Sequence, residues 1–224
     1  QSDIHSIAKP VSDWIGDPSS GEEAIAKTRE AFAIAMRPNG GLSTLIVPAD
    51  VAWSEMSGPP PAAARAKPAT KAVDMAQVRA AAAALKSGEP AVLIIGGHAG
   101  LEKPLKLAAA IAAKTGARLF SDTFVPRLAR GAGRPRPERV PYLGEMAVMM
   151  MKDFRHAVVV GAKAPVAFFA YPNKPSTFLS PECKVHAPWT HEHDVNDVLT
   201  ALAEEVGAKV GDAPAAAAAA PDVP

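Results

Sequence analysis

The chain has 224 residues with 24 basic and 23 acidic side chains, and its formal net charge is +1. This balance excludes a nucleic acid or an anionic membrane as the expected partner, since either would call for a basic excess. The one cysteine, Cys183, excludes an internal disulfide and favours a reducing, cytoplasmic compartment, and no apolar run approaches the roughly 18 residues of a membrane-spanning helix.

The first segment, residues 1–53, predicts one helix and one strand. Ser20-Gly21-Glu22-Glu23 has the Ser-x-x-Glu spacing of a capping box and opens a helix over about 22–36. Apolar residues recur along one side of that helix, and Pro38-Asn39-Gly40-Gly41 ends it. A short buried strand is predicted at Leu42–Val47. One helix and one strand cannot close a hydrophobic core, so we expect this segment to complete a sheet formed by residues further upstream.

Two proline-rich stretches predict linkers. Residues 54–73 contain Gly58-Pro59-Pro60-Pro61 and no hydrophobic periodicity, which is typical of an extended connection between domains. After Lys209 six alanines stand between prolines, and so short a run does not form a stable helix alone. Residues 209–224 are therefore expected to lead to a further domain.

Between the linkers, residues 74–208 alternate apolar runs with helical patterns. Apolar runs without polar alternation suit the strands of a parallel sheet that is covered on both faces. We therefore predict an α/β fold with a doubly wound parallel sheet. The predicted helices are Met75–Lys86, Leu101–Thr115, Tyr142–Lys152 and Asp194–Val206, and the predicted strands are Ala91–Ile95, Ala117–Ser121, His156–Val160 and Lys184–His186.

Two glycine turns follow predicted strands, where parallel sheets commonly bind ligands. Gly96 and Gly97 stand between a strand and a helix, and Gly161 and Ala162 repeat that arrangement later in the chain. A nucleotide phosphate is one interpretation of such a turn. The spacing is not Gly-x-Gly-x-x-Gly, however, and no acidic residue ends the next strand. A tight strand-to-helix turn is the favoured interpretation, with nucleotide binding as the alternative.

The second of these turns continues into an aromatic loop that contains Phe168, Phe169 and Tyr171. Aromatic residues make up only 5% of the chain, so their concentration here is informative. The loop leaves the carboxyl end of a predicted strand, where it could form the wall of a binding pocket. Packing against a neighbouring domain or subunit is an equally good interpretation.

Other polar clusters give weaker signals. Arg127 and Arg130 lie beside glycines at another strand end and could hold an anion, although surface arginines and ion pairs are more common. His191 and His193 stand just before a helix without further ligands at metal-binding spacing, so we predict a solvated loop followed by an Asp194 N-cap. Cys183 is expected to be a small buried or half-buried residue. We assign no catalytic and no metal-binding residue.

Taken together, four segments resemble the thiamine diphosphate (ThDP)-dependent acetolactate synthase large subunits and their relatives, which include benzoylformate decarboxylase. No single segment is highly specific, but their order and separation are. The segments are Thr44–Trp53, Glu89–Gly97, Asp122–Gly133 and Val160–Pro172.

The resemblance implies a domain assignment for each part of the chain. Enzymes of this family have three α/β domains: the first binds the ThDP pyrimidine, the middle one is mainly structural, and the third binds the diphosphate through Mg²⁺. Residues 1–53 would then be the end of the pyrimidine-binding domain, 54–73 a linker, 74–208 the central domain, and 209–224 the linker to the third domain.

The resemblance also implies a function for a longer protein of which this chain would be a part, called the parent below. The parent would act on 2-oxo acids and form a homo-oligomer, either a dimer or a tetramer. The Gly-Asp-Gly…Asn motif of the third domain is absent from this sequence. ThDP and Mg²⁺ are therefore expected in the parent but not in this chain, which we expect to be inactive alone. Some members hold FAD or ADP in the middle domain, but no convincing FAD arrangement is evident here. In benzoylformate decarboxylase the loop that corresponds to Phe168–Tyr171 carries a histidine, whereas here it suggests an apolar wall.

Two further hypotheses come from other classes of protein. A free-standing module could bind a nucleotide (NAD, FAD or ADP) at the two glycine turns. A purely structural domain could support subunit contacts, and it predicts an exposed apolar face on the first segment.

Overall fold

A computed structural model describes residues 2–37, 40–58, 69–170 and 172–213. The predictions that involve Pro38, Asn39, Tyr171, half of the first linker (59–68) and most of the second lie outside these residues. The chain divides into two compact units, Gln1–Thr70 and Lys71–Pro224. Among the described residues, none of the helices combines the length and hydropathy that crossing a bilayer requires.

The first unit contains more secondary structure than the sequence predicts. The predicted helix is present as α2, and Ser20 Oγ accepts a hydrogen bond from the Glu23 backbone N–H at 3.1 Å, as a capping box requires. The predicted strand is shorter and pairs in parallel with an unpredicted strand, Ser43 opposite Trp14. The elements are α1 (Ile4–Ala8), β1 (Trp14–Gly16), α2 (Gly21–Ala35), β2 (Ser43–Leu45) and α3 (Ala49–Trp53).

The expectation of a single helix and strand was wrong because α1, β1 and α3 are too short to show a period. Each has three to five residues, fewer than a hydrophobic pattern needs to repeat. The longest helix of this unit, α2, contains no buried residue. Phe32 and Met36 at its C-terminal end are exposed.

The second unit is a doubly wound α/β fold, as predicted. Its five strands are all parallel and stand in the order β5-β4-β3-β6-β7. The elements are α4 (Met75–Leu85), β3 (Ala91–Ile95), a 3₁₀ turn (Gly97–Gly100), α5 (Glu102–Thr115), β4 (Arg118–Ser121), β5 (Glu138–Arg139), α6 (Gly144–Met151), β6 (His156–Val160), β7 (Lys184–His186) and α7 (Val195–Val206).

The central strands β3 and β6 are buried along their whole length, which is why their sequences, apart from His156, are apolar without alternation. Successive side chains of β3 still point to opposite faces of the sheet. Leu93 and Ile95 join a core with α4, α5 and α7. Val92 and Ile94 join a second core with Phe120 and α6. The sheet is therefore covered on both faces.

Strand β5 was not predicted. It has two exposed residues, Glu138 and Arg139, and no apolar run marks it in the sequence. It forms only by pairing with β4, where Glu138 lies opposite Phe120.

The strand order places the topological switch point between β3 and β6. From β3 the chain proceeds outward to β4 and β5, and it then returns to β6 and proceeds outward to β7 on the other side. Ligands of open α/β sheets generally bind at such a point, beyond the carboxyl ends of the strands. The glycine turns and the aromatic loop all follow strands at this edge.

Candidate functional site

The two glycine turns meet at the switch point and contact each other directly. The Gly96 backbone N–H donates a hydrogen bond to the Val160 carbonyl at 3.1 Å. A Cβ atom on Gly96 would lie 2.8 Å from the Cβ of Ala162 and 2.8 Å from the Gly161 carbonyl oxygen. Gly97 and Gly161 also have positive φ angles, +49° and +71°. Glycine is therefore needed here for close approach of two backbones and for left-handed turns.

This geometry brings Gly96, Gly97, Gly161 and Ala162 together, as their positions after neighbouring strands predict. The two turns lie close enough that a side chain on Gly96 or Gly161 would meet the other turn. The contact supports the interpretation as tight packing turns. Nucleotide binding at these residues stays a prediction.

An aromatic cluster lies at the same edge of the sheet and joins three different loops. Phe124 follows β4, Tyr142 follows β5, and Phe168 and Phe169 follow β6. The ring centroids of Phe168 and Phe124 are 4.7 Å apart. Phe168 stacks on Tyr142 at 5.9 Å with an angle of 16° between the rings, and Phe169 meets Tyr142 edge-on at 6.3 Å. Pairs of this kind are favourable beyond the area that they bury.

A cavity of about 250 Å³ lies between this cluster and α6. Its walls are mainly apolar, and Phe178, which is 2% exposed, belongs to the core beneath it. The apolar residues that line it include Tyr142, Val148, Ala167, Phe168, Phe169 and Phe178. The sequence indicated six residues as possible ligand contacts. Phe168 and Phe169 line the cavity, whereas the four residues of the two glycine turns do not.

The charged residues that line the cavity, Lys174 and Glu145, form an ion pair. Lys174 Nζ lies 3.2 Å from Glu145 Oε1, and both side chains are more than half exposed. The pKa of Glu145 is lowered, first by a hydrogen bond from its own backbone N–H and then by Lys174. Lys174 and Glu145 neutralise each other's charge. The cavity therefore presents mainly apolar walls, and the charged side chains that line it are paired. Such an arrangement can bind an apolar group but supplies no evident nucleophile.

Tyr142 and Val148 were not recognised as site residues from the sequence. Tyr142 was assigned to the start of a helix that in fact begins at Gly144. The sequence held part of the signal, because aromatic residues are rare in this chain and Phe124, Phe168 and Phe169 follow predicted strands. Their convergence depends on the strand order, which the sequence does not display.

The structure gives other polar residues near the predicted candidates clear partners. In the loop after β4, which contains Arg127 and Arg130, the neighbouring Arg134 forms an ion pair, with its Nη2 2.8 Å from Glu102 Oε2. Asp194 caps α7 by accepting a hydrogen bond from the Asn196 backbone N–H at 2.8 Å. No group of three metal-ligating side chains occurs within the described ranges.

The prediction of a solvated loop at His191–His193 was wrong for His193, which is 4% exposed. Its Nδ1 lies 2.8 Å from the Thr190 hydroxyl. The backbones of Lys71 and His193 pair in an isolated parallel β-bridge. Cys183 is buried, as expected, and burial raises the pKa of its thiol. These residues therefore belong to the packing of the second unit.

Comparisons with known proteins agree with this architecture. The chain is 40% identical over all 224 residues to IlvX of Mycobacterium tuberculosis, a protein provisionally described as an acetolactate synthase large subunit. It spans 42% of that protein's length. No family model matches the chain.

Two solved structures share the fold at low sequence identity. A Mycobacterium smegmatis enzyme, provisionally described as thiamin diphosphate-dependent, matches 91% of this chain and 41% of its own, with a TM-score of 0.70 and 22% identity. The thiamine diphosphate-dependent 4-hydroxybenzoylformate decarboxylase of Rhodococcus jostii matches 100% of this chain and 45% of its own, with a TM-score of 0.65 and 17% identity.

The doubly wound unit thus has the α/β fold of ThDP-dependent enzymes. More particularly, the resemblance to acetolactate synthase large subunit-like proteins is confirmed by the identity that extends along the whole chain.

Proposed function

We propose that this chain is part of a ThDP-dependent, acetolactate synthase-like enzyme that decarboxylates or joins 2-oxo acids. The observation that carries the proposal is the 40% identity to IlvX, which is maintained over all 224 residues. Two neighbours in structure are decarboxylases of 4-hydroxybenzoylformate and benzoylformate, and both of these compounds are 2-oxo acids. They support the substrate class.

We further propose the domain roles that the resemblance implies. Residues 1–53 would end a pyrimidine-binding domain, and residues 74–208 would form the central, mainly structural domain. Support comes from the division of the chain at Thr70 and Lys71, which falls inside the predicted linker 54–73. The residues 209–224 would lead to a diphosphate-binding domain.

The residues of this chain do not fit a complete ThDP and Mg²⁺ site. The part of the chain that the structure describes has no cluster of three His, Cys, Asp or Glu side chains suited to a metal. The Gly-Asp-Gly…Asn motif is also absent from the sequence. In the intact parent, ThDP would supply the chemistry at the carbon next to a carbonyl. We assign no chemical step to this chain.

The parent is proposed to be a cytoplasmic homo-oligomer. The single cysteine favours a reducing compartment. The exposed Phe32 of α2 and Met36 directly after it are the kind of apolar surface that subunit contacts cover.

The first test measures cofactor binding by calorimetry. We expect the 224-residue chain to show no binding of ThDP in the presence of Mg²⁺. The complete gene product, with whatever flanks this sequence, should bind ThDP and release CO₂ from 2-oxo acids in a ThDP-dependent manner. Tight Mg²⁺-dependent binding by the 224-residue chain would contradict the domain roles. No ThDP-dependent turnover of any 2-oxo acid by the complete product would contradict the enzyme class.

A further inference from the structure

We propose that the cavity between α6 and the loop 164–178 binds a compact, uncharged aromatic molecule or an aromatic group of one. This inference does not depend on the proposed ThDP chemistry, because every residue that it uses lies in the second unit. It rests on the size of the cavity, the geometry of its rings and the charge of its mouth.

The size suits one substituted ring or two fused rings. The cavity measures about 250 Å³. An apolar cavity of about 150 Å³ in another protein is sufficient to bind benzene. The lining atoms are predominantly apolar, so water inside the cavity would find few hydrogen-bond partners and a ring would displace it favourably.

The rings at the opening are placed to receive another ring. Phe168 and Tyr142 are nearly parallel, while Phe169 stands edge-on to Tyr142 at an angle of 86°. Phe168 remains 45% exposed and Phe169 53% exposed, although each already contacts another aromatic side chain. A ligand ring can therefore add a stacked or edge-on contact and bury apolar surface that is now in water.

The charge at the mouth favours a ligand without a carboxylate. Lys174, the cation that lines the cavity, is already paired with Glu145 at 3.2 Å. An anionic ligand that approached Lys174 would be repelled by the neighbouring Glu145 carboxylate. An uncharged ligand leaves the pair intact. Replacing Glu145 should release Lys174 for a carboxylate and so reverse the preference.

The experiment is a ¹⁹F NMR titration of the 224-residue chain with 4-fluorobenzyl alcohol and, separately, with 4-fluorobenzoate. We expect saturable binding of the alcohol and several-fold weaker binding of the benzoate. Ala167→Leu places extra side-chain atoms inside the cavity and should weaken alcohol binding by about tenfold or more. Val166→Leu introduces the same residue at the adjacent exposed position, which does not line the cavity, although it adds one carbon rather than three; it should leave binding unchanged.

Two further variants keep the outcome decisive. Phe168→Ala removes a half-exposed ring and should also weaken alcohol binding, even if Ala167→Leu fails to fold. Glu145→Gln should strengthen benzoate binding several-fold, because it frees Lys174 from its carboxylate partner. The absence of saturable alcohol binding to the folded wild-type chain would overturn the proposal. So would alcohol binding that neither Ala167→Leu nor Phe168→Ala weakens, or benzoate binding that Glu145→Gln leaves unaltered.

Discussion

At Gly161 the φ angle is +71°, and an added Cβ atom would overlap the carbonyl oxygen of Gly96. Residue 161 therefore adopts a left-handed backbone conformation and also lies in close contact with a neighbouring turn, and both features favour glycine. Gly116, at the C-terminal end of α5, has a similar φ of +76° but no atom within 4 Å of the added Cβ. Substitutions at these two glycines therefore separate the energy of backbone strain from the energy of close packing.

We expect Gly161→Ala to lower the free energy of unfolding by about 2–4 kcal/mol, because strain and steric overlap add. Gly116→Ala should cost only about 1 kcal/mol, since it imposes strain alone. Urea unfolding followed by circular dichroism measures both values. Equal losses in the two variants would show that the contact between the turns contributes nothing to stability.

Among the elements, strands β6 and β7 are joined by side chains as well as by their backbones. His156 on β6 has its Nδ1 at 3.2 Å from Nε2 of His186 on β7. The other nitrogen of His156, Nε2, lies 2.8 Å from a Glu89 carboxylate oxygen. His156 Nε2–H can donate to Glu89 while Nδ1 accepts from His186 Nε2–H, so one ring bonds to both neighbours. The pKa of His186 is lowered, first by burial and then by the charges of His156 and Lys184.

Acidification should therefore lower the free energy of unfolding of the second unit. The folded-state pKa of His186 lies below its ordinary value of 6.5, so the unfolded chain binds more protons just below neutral pH. Stability should fall as the pH drops through this range. We expect the difference in unfolding free energy between about pH 7.5 and about pH 5.5 to be smaller in His186→Asn than in the wild type. His191→Asn, at an exposed loop position, is the control and should retain the wild-type difference. An undiminished difference in His186→Asn would refute the role of the pair.

For the whole molecule, the two units differ in how well their elements are buried. The second unit covers both faces of its sheet, and residues such as Leu93, Ile111 and Leu202 are completely buried. In the first unit, α2 contributes no buried residue, and Trp53 of α3 is 88% exposed. Since burial of apolar surface is the main source of stability, the second unit has what an independent domain needs.

A chain limited to Lys71–Ala213 should consequently fold by itself. We expect helical circular dichroism and a single cooperative urea transition, as small domains show. The matched piece, residues 2–58, should show no cooperative transition. A stable, cooperative fold in residues 2–58 would contradict the expectation that this segment completes another sheet. A non-cooperative transition in Lys71–Ala213 would contradict the independence of the second unit.

The elements of the second unit were predictable because their signals are local. The strands at Ala91–Ile95 and His156–Val160 have the predicted bounds; the first is a continuous apolar run, and the second is apolar after His156. The helix ends were also readable, since Asp74 accepts hydrogen bonds from two backbone N–H groups and Gly116 has the left-handed conformation that ends α5. The family resemblance followed from the order of such segments along the chain.

By itself, the sequence determined the α/β class, the main helices and strands of the second unit, and the family that they resemble. Apolar periodicity and helix caps act between near neighbours, so they are visible in one dimension. Only the tertiary structure decided the order of the strands, the contact between the two glycine turns, the burial of His193 and the cavity that Tyr142 and Phe168 line together. Each of these arises from residues far apart in the chain, which meet only when the parallel sheet has assembled.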